Sequence, residues 1–527
     1  MKSPSFYYVL FAMSFSWLVY HQSADAEDKT GAADWGQWGH DSSKNMVSPE
    51  KNIPVDISAG DELDDGNIDV KTATNAKWIV KLGDQSYGTP TVSGGRVFVG
   101  TNNANPRNAK IEGDRGVVMC FDEKSGKFLW QLTVPKLPSG KVNDWEFLGI
   151  CSSPTIVGKY GYVVTNRAEV IKFDTAGLSD GNDGTFQEEG KYMAGGLNGI
   201  AKGTAKAVAV GDTDADIIWG LDMMDDAGAF PHNIASSSVV LGDGKVFAST
   251  SNGMDWSHLN IQQPLSPTLI SLDVESGKLV GEEAAGISER TFHCNWSSPA
   301  YGEVAGKKTV VFGGGDGWCY GFGTVGVKDK DGFMVLPELW KVDCNAKEYR
   351  LDEKGKKIKY ASYPGPSEII ASPVIYKNRV YVTIGQDPEN GEGVGALTCI
   401  DPSKGSGEDA VVWRFQDLGR SLSSPSIVDG LLYIADYAGR VFCLDADSGK
   451  LLWEHDTLSH IWASTLVVDG KVFIGTEDGE LIILKAGKEK EELATVDFPN
   501  PIYSTPVAAN GALYIMTQSH LYAFQQK

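Results

Sequence analysis

One pattern returns eight times along this chain and leaves few folds open to it. Each copy starts on two small residues and a Pro or its substitute: Gly88–Pro90, Ser152–Pro154, Ser237–Val239, Ser297–Pro299, Ala371–Pro373, Ser423–Pro425, Ser464–Leu466 and Ser504–Pro506. An apolar alternation follows, then a D-G or G-G turn, a second strand, a Gly-bearing loop, a third strand ending in L-D, and S-G-K before a Trp. The stretch SLSSPSIVDGLLYIADYAGRVFCLDADSGKLLW, from Ser421 to Trp453, holds a whole unit. Alternation with period two marks strands. The last three starts lie about 40 residues apart, the four-strand spacing of a propeller blade. Insertions lengthen the earlier units.

Each part of the unit has a physical cause. Asp-Gly supplies the positive φ that a two-residue hairpin turn requires. The small residues at the first strand suit a place where eight strands crowd round one axis. D-x-x-S-G-K forms the outer hairpin, and Trp130, Trp219, Trp340, Trp413 and Trp453 offer a flat face to the next blade. Val280 takes that place in the third unit, and the seventh lacks it. The eighth unit stops at its third strand, LYAFQQK, and the missing fourth stands at the other end, in KWIVKL from Lys77 to Leu82 with Trp78. The expected fold is therefore all-β: an eight-bladed propeller of four-stranded antiparallel blades over residues 77–527. The N-terminal strand completes the last blade, closing the ring and protecting its sheet edges.

Ahead of the repeat, Lys2, the apolar run Phe6 to Tyr20 and Ala24-Asp25-Ala26 read as a cleavable signal peptide over 1–26, cut after Ala26. The run is shorter than the roughly 20 residues of a membrane-spanning helix, which sets the anchor reading second. Residues 27–76 would form an N-terminal arm. No later segment is apolar enough to span, so a monomeric protein of the periplasm or exterior is expected. A net charge of −22 excludes nucleic acid and favours cations or basic partners. Of the seven Cys, Cys120, Cys399 and Cys443 fall on a buried strand position. The odd count and the absence of C-x-x-C speak against a zinc site or a disulfide framework; one pairing within Cys151, Cys294 and Cys344 stays open.

In an up-and-down blade, the loops before strand one and after strand two share a face. That face collects the irregular sequence: Asn102 to Arg115, SNGMDWSHLNIQQP from Ser251, GGGDGW ending at Trp318, QDPENGEG from Gln386, and Tyr437. It also gathers Trp145, Pro231-His232-Asn233, the run Thr291 to Trp296, Glu368, Arg420, Ser459-His460-Ile461-Trp462 and Tyr503. Long polar loops on a rigid scaffold are where binding concentrates. Three other segments have plainer readings. Asp212, Asp214 and Asp216 alternate like calcium ligands, but Ile217 stands where the loop needs Gly, so a turn is expected. SDGNDGTFQEE from Ser179 reads as a solvated acidic loop, and the basic island Lys347–Lys359 as a solvated hairpin.

The blade pattern, with D-x-x-S-G-K-x-x-W, resembles the pyrroloquinoline-quinone-like repeat of the eight-bladed quinoprotein family. The likeness runs over residues 34–527 and includes WGQWGHDSSKNMVSP from Trp35 to Pro49. Within that family it is most similar to the branch of secreted bacterial relatives. The resemblance implies the fold, and for the family's dehydrogenases it implies a quinone over a Trp floor, a calcium ion held by Glu and Asn, and an Asp base. T-S-N-G-M-D-W places Asn252 at the calcium-ligand Asn and Trp256 at the family's Trp. The Cys-Cys lid is missing, and Trp296-Ser297-Ser298-Pro299 stands where the W-D-x-D base motif belongs. Glu169, the only acid near the calcium Glu, matches Arg440 in the repeat, an outward-pointing strand position.

The first reading is a binding or scaffold module without a resident cofactor. It would engage a protein or small molecule on the loop-rich face around His293, Trp296, Trp318 and Trp462. The second is a divergent quinone-dependent alcohol or sugar dehydrogenase using pyrroloquinoline quinone and Ca²⁺. Its metal would lie near Asn252, Asp255 and Asp316, its base would be His293 or Asp436, and its cofactor would touch Trp256, Trp296, Trp318, Arg420 and Trp462. A carbohydrate-active propeller has no carboxylate spacing to support it.

Overall fold

The computed structural model describes residues 34–526; the expected leader and its cut site lie outside them. Eight blades of four antiparallel strands follow one another in chain order, beside a two-stranded hairpin of Asp61–Glu62 and Ile68–Asp69. The sixth is the plainest: Ser426–Val428, Leu431–Ala435, Arg440–Asp445 and Leu451–Asp456, each strand paired with the next. The eighth takes three strands from the C-terminus and its outer strand, Ala76–Lys81, from the N-terminus. Trp78 pairs with Ala523 and Val80 with Leu521, so the ring closes on the split blade as the repeat requires. The inner hairpins turn as expected: Asp243-Gly244, Asp429-Gly430 and Asp469-Gly470 all have positive φ.

The repeat's side chains join one blade to the next. Trp78 Nε1 donates to the Glu123 carbonyl of the first blade at 2.9 Å, and Trp130 Nε1 to Thr175 of the second at 2.9 Å. Trp219, Trp413 and Trp453 reach Val274, Ala446 and Gly487 in the same way. The Gly of S-G-K is needed twice over. Gly126 and Gly449 have positive φ, and a Cβ there would lie 2.8 Å from Trp78 and 2.6 Å from Trp413. Trp340, in the fourth blade, is buried but leaves its Nε1 without a partner.

The paired small residues do more than avoid crowding. Thr89 N donates to Ser153 Oγ, Ser153 N to Ser238 Oγ, and Ser238 N to Ser298 Oγ. The belt resumes from Ser372 to Ser424, Ser424 to Ser464, and Ser464 to Thr505. A hydroxyl therefore satisfies a buried backbone N–H of the preceding blade, which Ala could not do. The belt also corrects the seventh start: Ser464 is the partner of Ser424, so Thr465, not Leu466, holds the place of Pro.

The arm ahead of the ring threads its axis. Trp35 exchanges backbone bonds with Val92, the Gly36 carbonyl accepts from Ile156 N, Ser42 from Tyr301 N, Ser43 from Ile375 N and Met46 from Val467 N. Asn45 caps Ile427 from both sides, and Val47–Ser48 adds a parallel strand to the seventh blade. One short segment thus ties first strands of seven blades together, including the eighth through Ser48 Oγ and the Ala508 carbonyl.

Insertions fall on blades one to five, the first carrying the loop between Asn102 and Arg115. In the second, the helix Glu189–Ala201 covers Glu169. Glu169 does not point outward: it is fully buried and accepts from Arg167 Nε, Leu197 N and Tyr192 Oη. The basic island folds as a short exposed hairpin with a Leu351–Lys357 bridge. All seven Cys are free thiols. No described helix is long and apolar enough to cross a membrane.

Candidate functional site: an axial cavity and a histidine cluster

Every blade sends the loop before its first strand to the axis, and these loops wall a cavity of about 440 Å³. Tyr87, Cys151, Asn233, Trp296, Ile370, Leu422, Trp462 and Tyr503 come in turn from blades one to eight. Trp38, from the threading arm, also lines it, fixed by an Nε1 bond to Ser372 Oγ at 2.8 Å. Tyr87 stacks on Tyr503 at 5.2 Å, and Tyr503 tilts against Trp462 at 5.3 Å. Asp387 and Glu389, after the second strand of blade five, add carboxylates; no Lys or Arg lines the cavity among the described residues. Burial, with negative neighbours that include Glu389 and Glu477, pushes the Tyr87 hydroxyl well above its usual range. At the rim two of the protein's own cations already sit over aromatic faces, Arg420 over Tyr437 at 4.9 Å and Lys141 over Trp145 at 5.2 Å.

Beside the cavity, three histidines meet. His232 precedes the first strand of blade three, His258 lies in the loop after its second strand, and His293 precedes the first strand of blade four. His293 Nε2 is 2.7 Å from His232 Nε2, and His258 Nε2 is 3.1 Å from it. His232 and His293 are buried, while His258 is exposed. His232 Nδ1 faces the Met254 carbonyl at 2.7 Å. His293 Nδ1 has no hydrogen-bond partner and lies 3.7 Å from Glu368 Oε1 and 3.9 Å from Asp387 Oδ2. Burial first, then the charge of His293, holds His232 down at about 3. Burial likewise lowers His293 to about 4 and pushes Glu368 up to about 8. Trp296 joins the two features: its indole lines the cavity and lies 5.1 Å from the His293 ring.

The residues around T-S-N-G-M-D-W hold this cluster together. Asn252 Oδ1 accepts from Phe230 N at 2.8 Å, and its Nδ2 donates to the Gln263 carbonyl and Ser288 Oγ. The loops run so close that a Cβ on Gly253 would sit 2.6 Å from the His293 carbonyl. Asp255 accepts from Ser257, Asn260 and Gln262, bonds that hold its carboxyl well below the usual range, and its carbonyl accepts from His258 N. These residues shape the loop that presents His258.

The expected sites divide accordingly. The structure brings His293 into the histidine cluster, and Trp296 and Trp462 into the cavity wall. Trp256 is half exposed and packs on Trp145 at 5.6 Å. Trp318 belongs to the sheet of blade four, away from the cavity lining, and Arg420 stays on the rim, bonded to the Gly391 carbonyl. Asp436 is bound to Arg440 at 2.7 Å and to the Gly419 N–H. Asp316 accepts from Arg290 Nε, Tyr320 Oη and Trp318 N. The amide of Asn252 and the carboxylate of Asp316 are thus each engaged by neighbours within the fold. Sequence reasoning placed His232 and His258 on the right face but left them ungrouped; they are 26 residues apart, and only the blade geometry makes them neighbours. Of the alternating aspartates, Asp216 alone meets other acids, Asp174 and Asp183. There the Lys159 ammonium, 3.4 Å from Asp174 and 2.9 Å from Asp183, supplies the countercharge.

Comparison with known proteins gives the same architecture. The family described as outer membrane protein assembly factor BamB matches residues 85–230 and 337–527, more than half of the chain. The 1-butanol dehydrogenase (cytochrome c) of Thauera butanivorans is 31% identical over 152 residues, 25% of this chain and 22% of that protein. The chain thus spans only about a fifth of that curated relative. BamB from Moraxella catarrhalis superposes with a TM-score of 0.53 at 14% identity, over 86% of this chain and 99% of that one. The quinohemoprotein alcohol dehydrogenase of Pseudomonas putida gives 0.56 at 12% identity, over 94% and 81%. At such identities the superpositions speak for the fold alone.

Proposed function

This chain belongs to the family of the outer membrane protein assembly factor BamB, and we propose that it is a binding module of the scaffold type. Its axial cavity receives a cationic group, a Lys or Arg side chain carried by a protein partner. The observation that supports this most is the composition of the cavity wall: Trp38, Tyr87, Trp296, Trp462 and Tyr503 around Asp387 and Glu389, with no cation among them. Aromatic faces attract cations through the ring quadrupole, by about 2 kcal/mol or more where water is excluded. The carboxylates add a charge of the right sign, and a volume of about 440 Å³ is in the ordinary range of small-ligand pockets. The net charge of −22 favours approach of a basic partner. The signal-like N-terminus supports a location outside the cytoplasm.

The test is a fluorescence titration with tetramethylammonium, benzylammonium and a short Arg-bearing peptide, against benzyl alcohol as the neutral counterpart. Saturable binding of the cations is expected, weakened about tenfold by Trp462→Ala or Glu389→Gln. Equal binding of benzyl alcohol, or no response in either variant, would overturn the reading. A dehydrogenase would instead reveal itself by a quinone absorbance change and alcohol-dependent dye reduction with pyrroloquinoline quinone and Ca²⁺.

A further inference from the structure

We propose that His232, His258 and His293 form a binding site for a divalent transition metal, zinc or copper, on the loop-rich face between blades three and five. The inference stands on the histidine geometry and does not depend on what the cavity binds.

The protons of the cluster lead to it. His232 Nδ1 lies 2.7 Å from the Met254 carbonyl, which can only accept, so the proton is on Nδ1 and Nε2 is a bare lone pair. That lone pair can accept one N–H in its plane. Two imidazole nitrogens approach it, at 2.7 and 3.1 Å. If His293 donates from Nε2, its Nδ1 becomes a second bare lone pair, buried and facing the oxygens of Glu368 and Asp387. A cation among the three Nε2 atoms removes both conflicts. All three lone pairs then point at the ion, and His293 carries its proton on Nδ1, toward the carboxylates.

The dimensions suit such an ion. Zinc–imidazole bonds of about 2.0–2.1 Å put tetrahedral ligand nitrogens about 3.3 Å apart. The ligand atoms of the cluster lie within 4.8 Å of one another, and to seat the metal the His232–His293 pair at 2.7 Å opens by about 0.6 Å. Imidazole selects zinc, copper and their neighbours over calcium or magnesium, which require oxygen. Three protein ligands leave a fourth position for water. Glu368 and Asp387, deprotonated as the ion binds, supply the countercharge that a buried dication needs, and Glu368, 3.7 Å from His293 Nδ1, is placed to close on it as outer-shell carboxylates do. Tyr360 Oη and Cys294 N fix Glu368 in turn, at 3.1 and 3.2 Å. His258 enters from an exposed loop, at a φ of 55°, and gives the metal its route in.

Untagged protein stripped with EDTA is titrated with Zn²⁺ against a chromophoric chelator. Cu²⁺ is followed by Trp fluorescence quenching and by nitrogen hyperfine structure in electron paramagnetic resonance, and Ca²⁺ serves as control. One equivalent of Zn²⁺ or Cu²⁺ and no Ca²⁺ are expected. His258→Ala, on an exposed loop that leaves the fold intact by circular dichroism, is expected to bind Zn²⁺ at least 100-fold more weakly, and Glu368→Gln about tenfold more weakly. Absence of stoichiometric binding at micromolar metal, or His258→Ala binding as tightly as the parent, would overturn the proposal. Failure of the cation titration above would leave it standing.

Discussion

Blades six to eight and blades two to five share the small-residue belt, broken only between Ser298 and Ser372, and a bulge between their third and fourth strands, yet they do different work. Blades six and seven run at the plain repeat length, and their loops on the cavity side are short. Blades two to five carry the helix Glu189–Ala201, the loop that bears His258 and the strand Met334–Val335, which is added to the third sheet. The histidine cluster and the carboxylates beside it all come from the second group. Regular blades make the ring rigid; irregular ones use that rigidity to hold side chains that do not follow the repeat.

Substitutions can probe this division. The largest effect is expected at the closing strand. Trp78→Ala removes a buried indole, its bond to the Glu123 carbonyl and its contact with Gly126, and should cost about 3–5 kcal/mol in urea unfolding. A loss below about 1 kcal/mol would mean that the ring does not depend on the split blade. Next comes a direct comparison of the two groups. Trp453→Ala in blade six also loses a bond to the Gly487 carbonyl, whereas Trp340→Ala in blade four loses none. The first should be more destabilising by about 1 kcal/mol, and equal losses would show that the indole bond adds nothing to the docking.

A smaller, pH-dependent effect is expected at Asp216 in blade two. Burial, ahead of its neighbours Asp174 and Glu189, raises its carboxyl to about 6. The folded state therefore holds the proton more tightly than the unfolded one. The associated stability is fully present below the unfolded value near 4 and is lost as the pH rises through about 6. Asp216→Asn should remove that slope. It should be more stable than the parent at pH 7 by about 1–2 kcal/mol and equal to it near pH 4, as thermal melts at the two pH values would show. A gain of the same size at both would exclude the titration. The smallest effect is expected for His258→Ala in metal-free protein, within about 0.5 kcal/mol, because the side chain is exposed. A large loss would make His258 a structural member of its blade.

How far the chain could be read follows from the range of each interaction. The hairpins, the docking indoles and the split blade were legible because each rests on a local pattern repeated in register. Ser153 and Ser424 were legible as small residues, but their hydroxyls act on a neighbouring blade, so the belt was not. Glu169 was misread because a helix inserted later in the chain covers it. Asn252 was legible by its motif, but its bonds were not, since its amide spans three segments that no local pattern links. Of the histidines, His293 stood out in a dense run, whereas His232 and His258 looked like ordinary loop residues.

The sequence by itself determined the number of blades, their strand order and the closure of the ring. Those follow from alternation and turn chemistry within a few residues, copied eight times. Only the tertiary structure decided that Trp38 reaches the axis, that no Lys or Arg among the described residues lines the cavity, and that three imidazoles from two blades converge. These depend on the angles at which rigid sheets meet, and a few residues of context carry no information about such angles.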